Sequence, residues 1–144
     1  MIFDTTNPTG GDFDLRRRWW GNVLIISENG NATDPKANRW GGTVEFFFER
    51  PVFKVNWVNL IDARTQNRDF IEIQAVSDTG EKRLTKVPLR ADFSFPVEVR
   101  NVKSLRVNMP GDGAISSLNL EVCKCKLFLV LQARRDNNTV LGHV

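Results

Sequence analysis

Apolar and polar residues alternate with a period of two along most of this chain, and this pattern is typical of β-strands that have one buried face. Residues 43–49 place Val44, Phe46 and Phe48 on one face. Asp78-Thr79-Gly80 then supplies a tight turn between two such segments. No segment of helical period and length competes with these, so the pattern predicts an all-β, antiparallel fold.

The predicted strands are separated by turns rich in Gly, Asn, Asp and Pro. They cover residues 23–27, 43–49, 52–62, 70–76, 81–87, 96–102, 104–109, 115–122 and 126–132. About 8 to 9 short strands of this spacing predict a β-sandwich or jelly roll. Residues 5–21 and 28–42 form irregular segments of a length that usually serves a function or holds a ligand.

Size and charge narrow the classes of function. The 144 residues fit a single domain, and a net charge of +3 with interleaved signs is too weak an excess to indicate nucleic-acid binding. No apolar stretch is long enough to span a bilayer, so we expect no membrane insertion. Domain-like sequence directly follows Met1, so the chain is either cytoplasmic or has its targeting segment outside this sequence.

Residues suited to catalysis are scarce. His143 is the only histidine and lies next to the last residue, which removes the usual base for a Ser or Cys nucleophile. No Gly-rich phosphate loop joins a strand to a helix. Asp12 and Asp14 could in principle form a glycosidase carboxylate pair, but carboxylates two apart in a Gly-rich loop more often bind a hard cation or cap turns. We therefore expect a protein that is not an enzyme.

Calcium is the cofactor that the acidic loops favour, because it takes oxygen ligands from Asp, Asn and backbone carbonyls. The first candidate group is Asp4, Asp12 and Asp14. A second group is formed by the loop residues Glu28, Asn29, Asn31 and Asp34. The alternative for both groups is that these side chains only form Asx turns.

Aromatic and basic residues cluster at one point of the first loop. Arg16, Arg17 and Arg18 are followed by Trp19 and Trp20. Guanidinium and indole faces can stack on sugars or bases, although such tryptophans can also tuck under the edge of the domain. The candidate glycan-binding residues are Arg18, Trp19, Trp20 and Trp40. Trp57 lies within a predicted strand, so we expect it in the core.

Several motifs, taken in order, resemble a known domain. They are "MIFDTTNPTGGDFDL", "GNVLIISENGNATDPKANRWGGTVEFFFERPV", "LIDA" and "SLRVNMPGDGAISSLNLEV", which together span residues 1–122. This series resembles a β-sandwich domain, of the jelly-roll, carbohydrate-binding or galactose-binding-like kind, that recurs in large secreted and surface proteins of marine and aquatic microbes. The resemblance implies a non-catalytic module in an extracellular or cell-surface location.

Two departures from that family matter. Its members tend to have Glu-Asp-Gly-Asp and Asp-Pro-Asp-Asp-Asn in the second loop, where this chain has Glu28-Asn29-Gly30-Asn31 and Asp34-Pro35-Lys36-Ala37-Asn38, so a calcium site there is weakened. Family members also usually carry a further strand before the stretch that resembles residues 1–11. We therefore expect residues 1–122 to be a domain that lacks a first strand, with residues 123–144 as a C-terminal extension.

The C-terminal extension contains an apolar strand. We expect its residues Leu127, Phe128, Leu129, Val130 and Leu131 to pair with an open sheet edge, either in the same chain or in a neighbour. Pairing with a neighbour would build a homo-oligomer or filament. The alternative is an ordinary extra core strand. Cys123 and Cys125 fall on one face of this segment and are interpreted as small core residues or as the source of intermolecular disulfides.

The leading hypothesis is a structural or adhesion protein of the cell surface that self-assembles through the C-terminal strand. The second hypothesis is a calcium-dependent carbohydrate-binding module. Asn31 and Asn137 begin N-glycosylation triplets, which would suit a glycoprotein from a secreting eukaryote.

Overall fold

The computed structural model describes residues 1–63, 70–87, 92 and 94–122. Within these residues the chain forms seven strands: β1 (Ile2–Asp4), β2 (Asn22–Ile25), β3 (Gly42–Ile61), β4 (Ile71–Ser77), β5 (Lys82–Val87), β6 (Ser94–Met109) and β7 (Ala114–Glu121). The one helix of this described part is a 3-10 turn, Phe13–Leu15. Among the described residues there is no helix that is long and apolar enough to cross a membrane.

All seven strands hydrogen-bond into one antiparallel sheet, in the order β1-β2-β7-β3-β6-β4-β5. The prediction of an all-β fold is confirmed. The division into the two facing layers of a sandwich stays a prediction, because the described strands form a single continuous sheet. The predicted hairpin turn at residues 78–80 is also observed, between β4 and β5.

Two long strands form the centre of the sheet. The predicted strands 43–49 and 52–62 are one strand, β3, and the predicted strands 96–102 and 104–109 are likewise one strand, β6. The β3–β6 pairing shifts register between Phe47 and Val52. Pro51, which has no N–H to donate, lies in this shift, so a bulge takes the place of the expected break.

The remaining strand predictions differ less from the observed strands. The strand β1 was missed, because three residues are too few for an alternating pattern to be visible. Predicted strand 126–132 lies outside the described residues. On the β7 side of β3, pairing runs from Lys54–Glu121 to Ile61–Ala114, and no described strand pairs with residues 42–53 on that side.

The main hydrophobic core follows the alternation of the strands. In β4, Ile71, Ile73 and Ala75 are fully buried, whereas the Glu and Gln side chains between them are half-buried. The buried residues of β3 and β6 belong to the same cluster, which includes Phe46, Val58 and Leu105. Trp57 is a correction: it is exposed, because its neighbour Val58 takes the inward position.

A second, smaller core lies on the other face of the sheet. In β2, Leu24 contributes to the main core, whereas Val23 and Ile25 belong to the second cluster. Leu15 and Ala37, from the two long irregular segments, complete this cluster. The short strand β2 is therefore buried on both faces, and the loops cover its second face.

Candidate functional site

The first loop, residues 5–21, is closed at its base by a buried threonine. Thr5 is fully buried, and its N–H donates to the carbonyl of Gly21 at 3.0 Å. Its carbonyl accepts from the N–H of Arg17 at 3.0 Å. The Thr5 hydroxyl lies 2.8 Å and 2.7 Å from the carbonyls of Arg17 and Gly21. These bonds hold the two ends of the loop together, as in a compact Ω-loop.

Hydrogen bonds join the first loop to the second loop, residues 27–41. The N–H of Gly10 donates to Oδ1 of Asp34 at 2.7 Å. The N–H of Ala37 donates to Oδ2 of Asp12. Gly10 has a φ of +62°, and a Cβ there would lie 2.7 Å from the carbonyl oxygen of Pro35. Only glycine fits this close approach of the two loops.

An ion pair fixes the first loop to the sheet region from another side. Nη2 of Arg17 lies 2.9 Å from Oδ2 of Asp92. Oδ1 of the same carboxylate accepts the N–H of Asp62, directly after β3, at 2.8 Å. Arg17 is therefore a structural member of the basic cluster, whereas Arg18 is exposed.

Four aromatic side chains on these ordered loops point into solvent. Trp19 is 92% exposed, Phe13 69%, Trp40 64% and Trp20 41%. The guanidinium carbon of Arg39 lies 4.7 Å from the ring centroid of Trp40, which is a cation–π contact. We call the set Phe13, Trp19, Trp20 and Trp40 the aromatic loop surface. Phe13 carries no sequence signal of its own, since its exposure depends on the inward turn of Leu15 in the 3-10 helix.

The three carboxylates of the first predicted calcium group, Asp4, Asp12 and Asp14, do not all lie at one place. Asp4 accepts the N–H and the hydroxyl of Thr6, at 2.8 Å and 2.7 Å, and these bonds lower the pKa of Asp4. A separate cavity of about 10 Å³, at the lower limit for one water molecule, has the following lining residues: Asp12, Asp14, Leu15, Ala37, Asp62, Asp112 and Gly113. The sequence gives no signal that Asp62 and Asp112 join Asp12, because they follow β3 and β6.

Burial raises the pKa of Asp12 above its ordinary value of 3.8, and the negative charges of Asp14 and Asp112 raise it further. The bond from the Ala37 N–H and the charge of Lys36 act in the opposite direction. Among the described residues, no three Asp, Glu, His or Cys side chains are arranged to hold a metal ion. Of the predicted set, Asp12 and Asp14 line the same cavity and Asp4 does not, and calcium binding by these residues stays a prediction.

The second predicted calcium group forms turns and cross-links. The Asn31 side-chain oxygen accepts the N–H and hydroxyl of Thr33, and the Asn29 side-chain oxygen accepts the N–H of Asn31. Glu28 forms an ion pair with Lys36 at 3.0 Å. The contacts of Asn29 and Asn31 are the Asx-type contacts of the alternative interpretation, whereas the Glu28 ion pair is a cross-link within the loop.

Several sequence predictions fall on residues that the structure does not describe. They are Cys123, Cys125, the strand residues Leu127–Leu131, and the glycosylation candidate Asn137. The other glycosylation candidate, Asn31, is exposed. Comparisons with protein-family models, curated proteins and solved structures returned no match.

The partial burial of Asp12 leads to a prediction about stability. Asp12→Asn keeps an oxygen that can accept the Ala37 N–H but removes the charge, whereas Asp12→Ala removes both. We expect the urea midpoint of the Asn variant at pH 7 to equal or exceed that of the natural protein. We expect the Ala variant to lose about 1 kcal/mol, the usual worth of one hydrogen bond.

The pH dependence has a definite sign. Because the folded protein raises the pKa of Asp12, the stability from this group is complete below the unfolded value of 3.8 and is lost as the pH rises through the folded value. Any advantage of Asp12→Asn should therefore vanish as the pH falls below 3.8. If Asp12→Asn is as unstable as Asp12→Ala at pH 7, the negative charge itself is required, as a bound cation would require it.

Proposed function

We propose that this chain is a non-catalytic, extracellular module that binds glycans through the aromatic loop surface. The observation that carries the proposal is the exposure of four aromatic rings on two loops that hydrogen bonds hold in place. Tryptophan is highly buried on average in folded proteins. The 92% exposure of Trp19 is therefore unusual and favours a binding role for this side chain.

Exposed aromatic rings can bind a sugar by stacking against it. An indole face offers a large, rigid apolar surface, and the C–H face of a pyranose ring is the part of a sugar that such a surface can dehydrate. Loops that are already ordered lose little conformational entropy when a ligand binds. Arg18 and Arg39 lie beside these tryptophans in the chain and supply guanidinium donors for sugar hydroxyls. The extracellular location rests on the family resemblance of residues 1–122.

A glycan array with matched variants tests this proposal. We expect the full chain to bind a defined set of glycans, and Trp19→Ala and Trp40→Ala to lose at least about tenfold in affinity, as the removal of a stacking contact predicts. The control is Phe70→Ala, which removes an exposed aromatic ring directly before β4, outside the loops. Adding EDTA tests the calcium dependence separately. A blank array, or tryptophan variants that bind like the control, would contradict the proposal.

A second candidate function is self-assembly by strand addition, and one observation favours it. On the β7 side, residues 42–53 of β3 pair with no described strand, and Phe47 and Phe53 are exposed there. An edge that no described strand covers can accept a strand from another chain. The proposed donor is the segment Leu127–Leu131 of a neighbouring copy, which would make the protein a structural element of a filament or surface layer.

Truncation after Val122 tests self-assembly. We expect the full chain to form oligomers or filaments in light scattering and negative-stain electron microscopy, and the truncated chain to be monomeric because it lacks the donor strand. A full-length chain that is monomeric, while truncation lowers its stability, would mean that the segment completes its own sheet. A truncated chain that still assembles would also rule out this mechanism.

A further inference from the structure

A polar groove lies at the opposite end of the strand order from the aromatic loop surface. Pairing between β4 and β6 ends at Ser77–Val102, and beyond it the β4–β5 turn and the first half of β6 leave a space of about 270 Å³ between them. Its lining residues are Ser77, Asp78, Thr79, Glu81, Arg83, Glu98, Val99, Arg100 and Asn101.

Hydrogen bonds fix the turn that forms one wall. The N–H of Asp78 donates to the carbonyl of Asn101 at 2.8 Å, which ties the turn to β6. The Ser77 hydroxyl accepts the N–H of Glu81 at 3.0 Å and lies 2.8 Å from the Thr79 hydroxyl. The groove is therefore ordered before any ligand enters.

Backbone strain is concentrated in the other wall. Glu98 and Asn101, three residues apart in β6, both have a φ of +52°. This left-handed conformation costs about 1–2 kcal/mol for a residue such as Glu98, and less for Asn101, because asparagine adopts it more readily. Strained residues persist where the surrounding structure enforces them, and they concentrate at ligand sites. Two left-handed residues lining one groove favour a groove whose shape serves to bind a ligand.

The charges of the groove are of both signs. Within the described part of the chain, the guanidinium groups of Arg83 and Arg100 form no ion pair and donate no hydrogen bond, although Arg100 lies 5.3 Å from the Phe53 ring centroid. The groove is also lined by three carboxylates, from Asp78, Glu81 and Glu98, so its lining contains two positive and three negative side chains. The Glu98 carboxylate lies 3.7 Å from Nζ of Lys54.

We infer that this groove binds a small hydroxylated carboxylate, namely a uronic-acid sugar. A guanidinium binds a carboxylate in a two-bond geometry, and the neighbouring carboxylates and hydroxyls accept sugar O–H groups. A phosphate dianion carries twice the charge of a uronate, so the three carboxylates would repel it more strongly. A neutral sugar would leave the guanidinium groups without an anionic partner. The volume is just below the range of about 300–1,000 Å³ that is typical for drug-sized ligands, which suits a single sugar residue.

The first test uses the natural full-length chain labelled with ¹⁵N. Sodium D-glucuronate and sodium D-galacturonate are titrated, with D-glucose and sodium acetate as controls that lack the carboxylate and the sugar hydroxyls respectively. We expect saturable shifts of the Thr79, Gly80 and Asn101 amides with at least one uronate, and binding weaker by about tenfold or more for both controls. If neither uronate gives saturable shifts, or if acetate binds equally well, the inference is wrong.

The second test assigns the binding to the groove. Arg83→Gln and Arg100→Gln should each weaken uronate binding by about 10- to 100-fold, as the loss of a charge-assisted hydrogen bond predicts. The matched control is Arg106→Gln, which lies on the same strand β6 but contacts Glu45 at 3.3 Å outside the groove. Variants that bind uronate like this control would overturn the assignment. Because the groove and the aromatic loop surface share no residue, this test does not depend on whether the aromatic loop surface binds glycans.

Discussion

The burial of β2 on both faces is the constraint on which the rest of this structure depends. A four-residue strand with Leu24 in the main core and Val23 and Ile25 on the other face cannot leave that second face in water. No described strand covers it. The two long loops supply the missing cover through Leu15 and Ala37, and their backbone groups are then satisfied by Thr5, Asp12 and similar partners.

This covering role explains why long irregular segments can carry a rigid site. Once Leu15 is buried, Phe13, two residues earlier, is directed outwards, and the closure of the loop at Gly21 leaves Trp19 and Trp20 outside the sheet. The same packing brings Asp12 under the second loop, where partial burial and nearby negative charges oppose its ionisation. Display of the aromatic rings and the electrostatics of Asp12 are thus two consequences of one hydrophobic requirement.

Much of the sheet could be predicted from the chain, and the reasons for the failures are physical. Alternation in segments such as 71–76 identified strands correctly, because one face is buried along their whole length. It could not join segments across Pro51, since the proline looks like a break. Trp57 was expected in the core because it lies within a predicted strand, but a bulge between Val55 and Trp57 changes which residue faces inwards. Bulges depend on the partner strand, which a local pattern does not contain.

The candidate sites were predicted less well than the strands. Exposed tryptophans in a loop were visible as a cluster, but the acidic cavity and the polar groove each combine residues far apart in the sequence, such as Asp12 with Asp112 or Arg83 with Glu98. Only the sheet order brings them together. The Asp4 carboxylate, in contrast, was grouped with Asp12 by proximity in sequence, yet its partner is Thr6.

Hydrogen exchange of the Ala37 amide in two glycine variants tests most directly whether the loops are held together as one unit. Gly10 and Gly11 both have positive φ, but a Cβ at Gly10 meets Pro35 and Lys36 whereas a Cβ at Gly11 meets nothing within 4 Å. Alanine should therefore cost about 1–2 kcal/mol of backbone strain at either position. Only Gly10→Ala should also separate the loops and accelerate exchange at Ala37. Equal exchange in Gly10→Ala and Gly11→Ala would contradict the account.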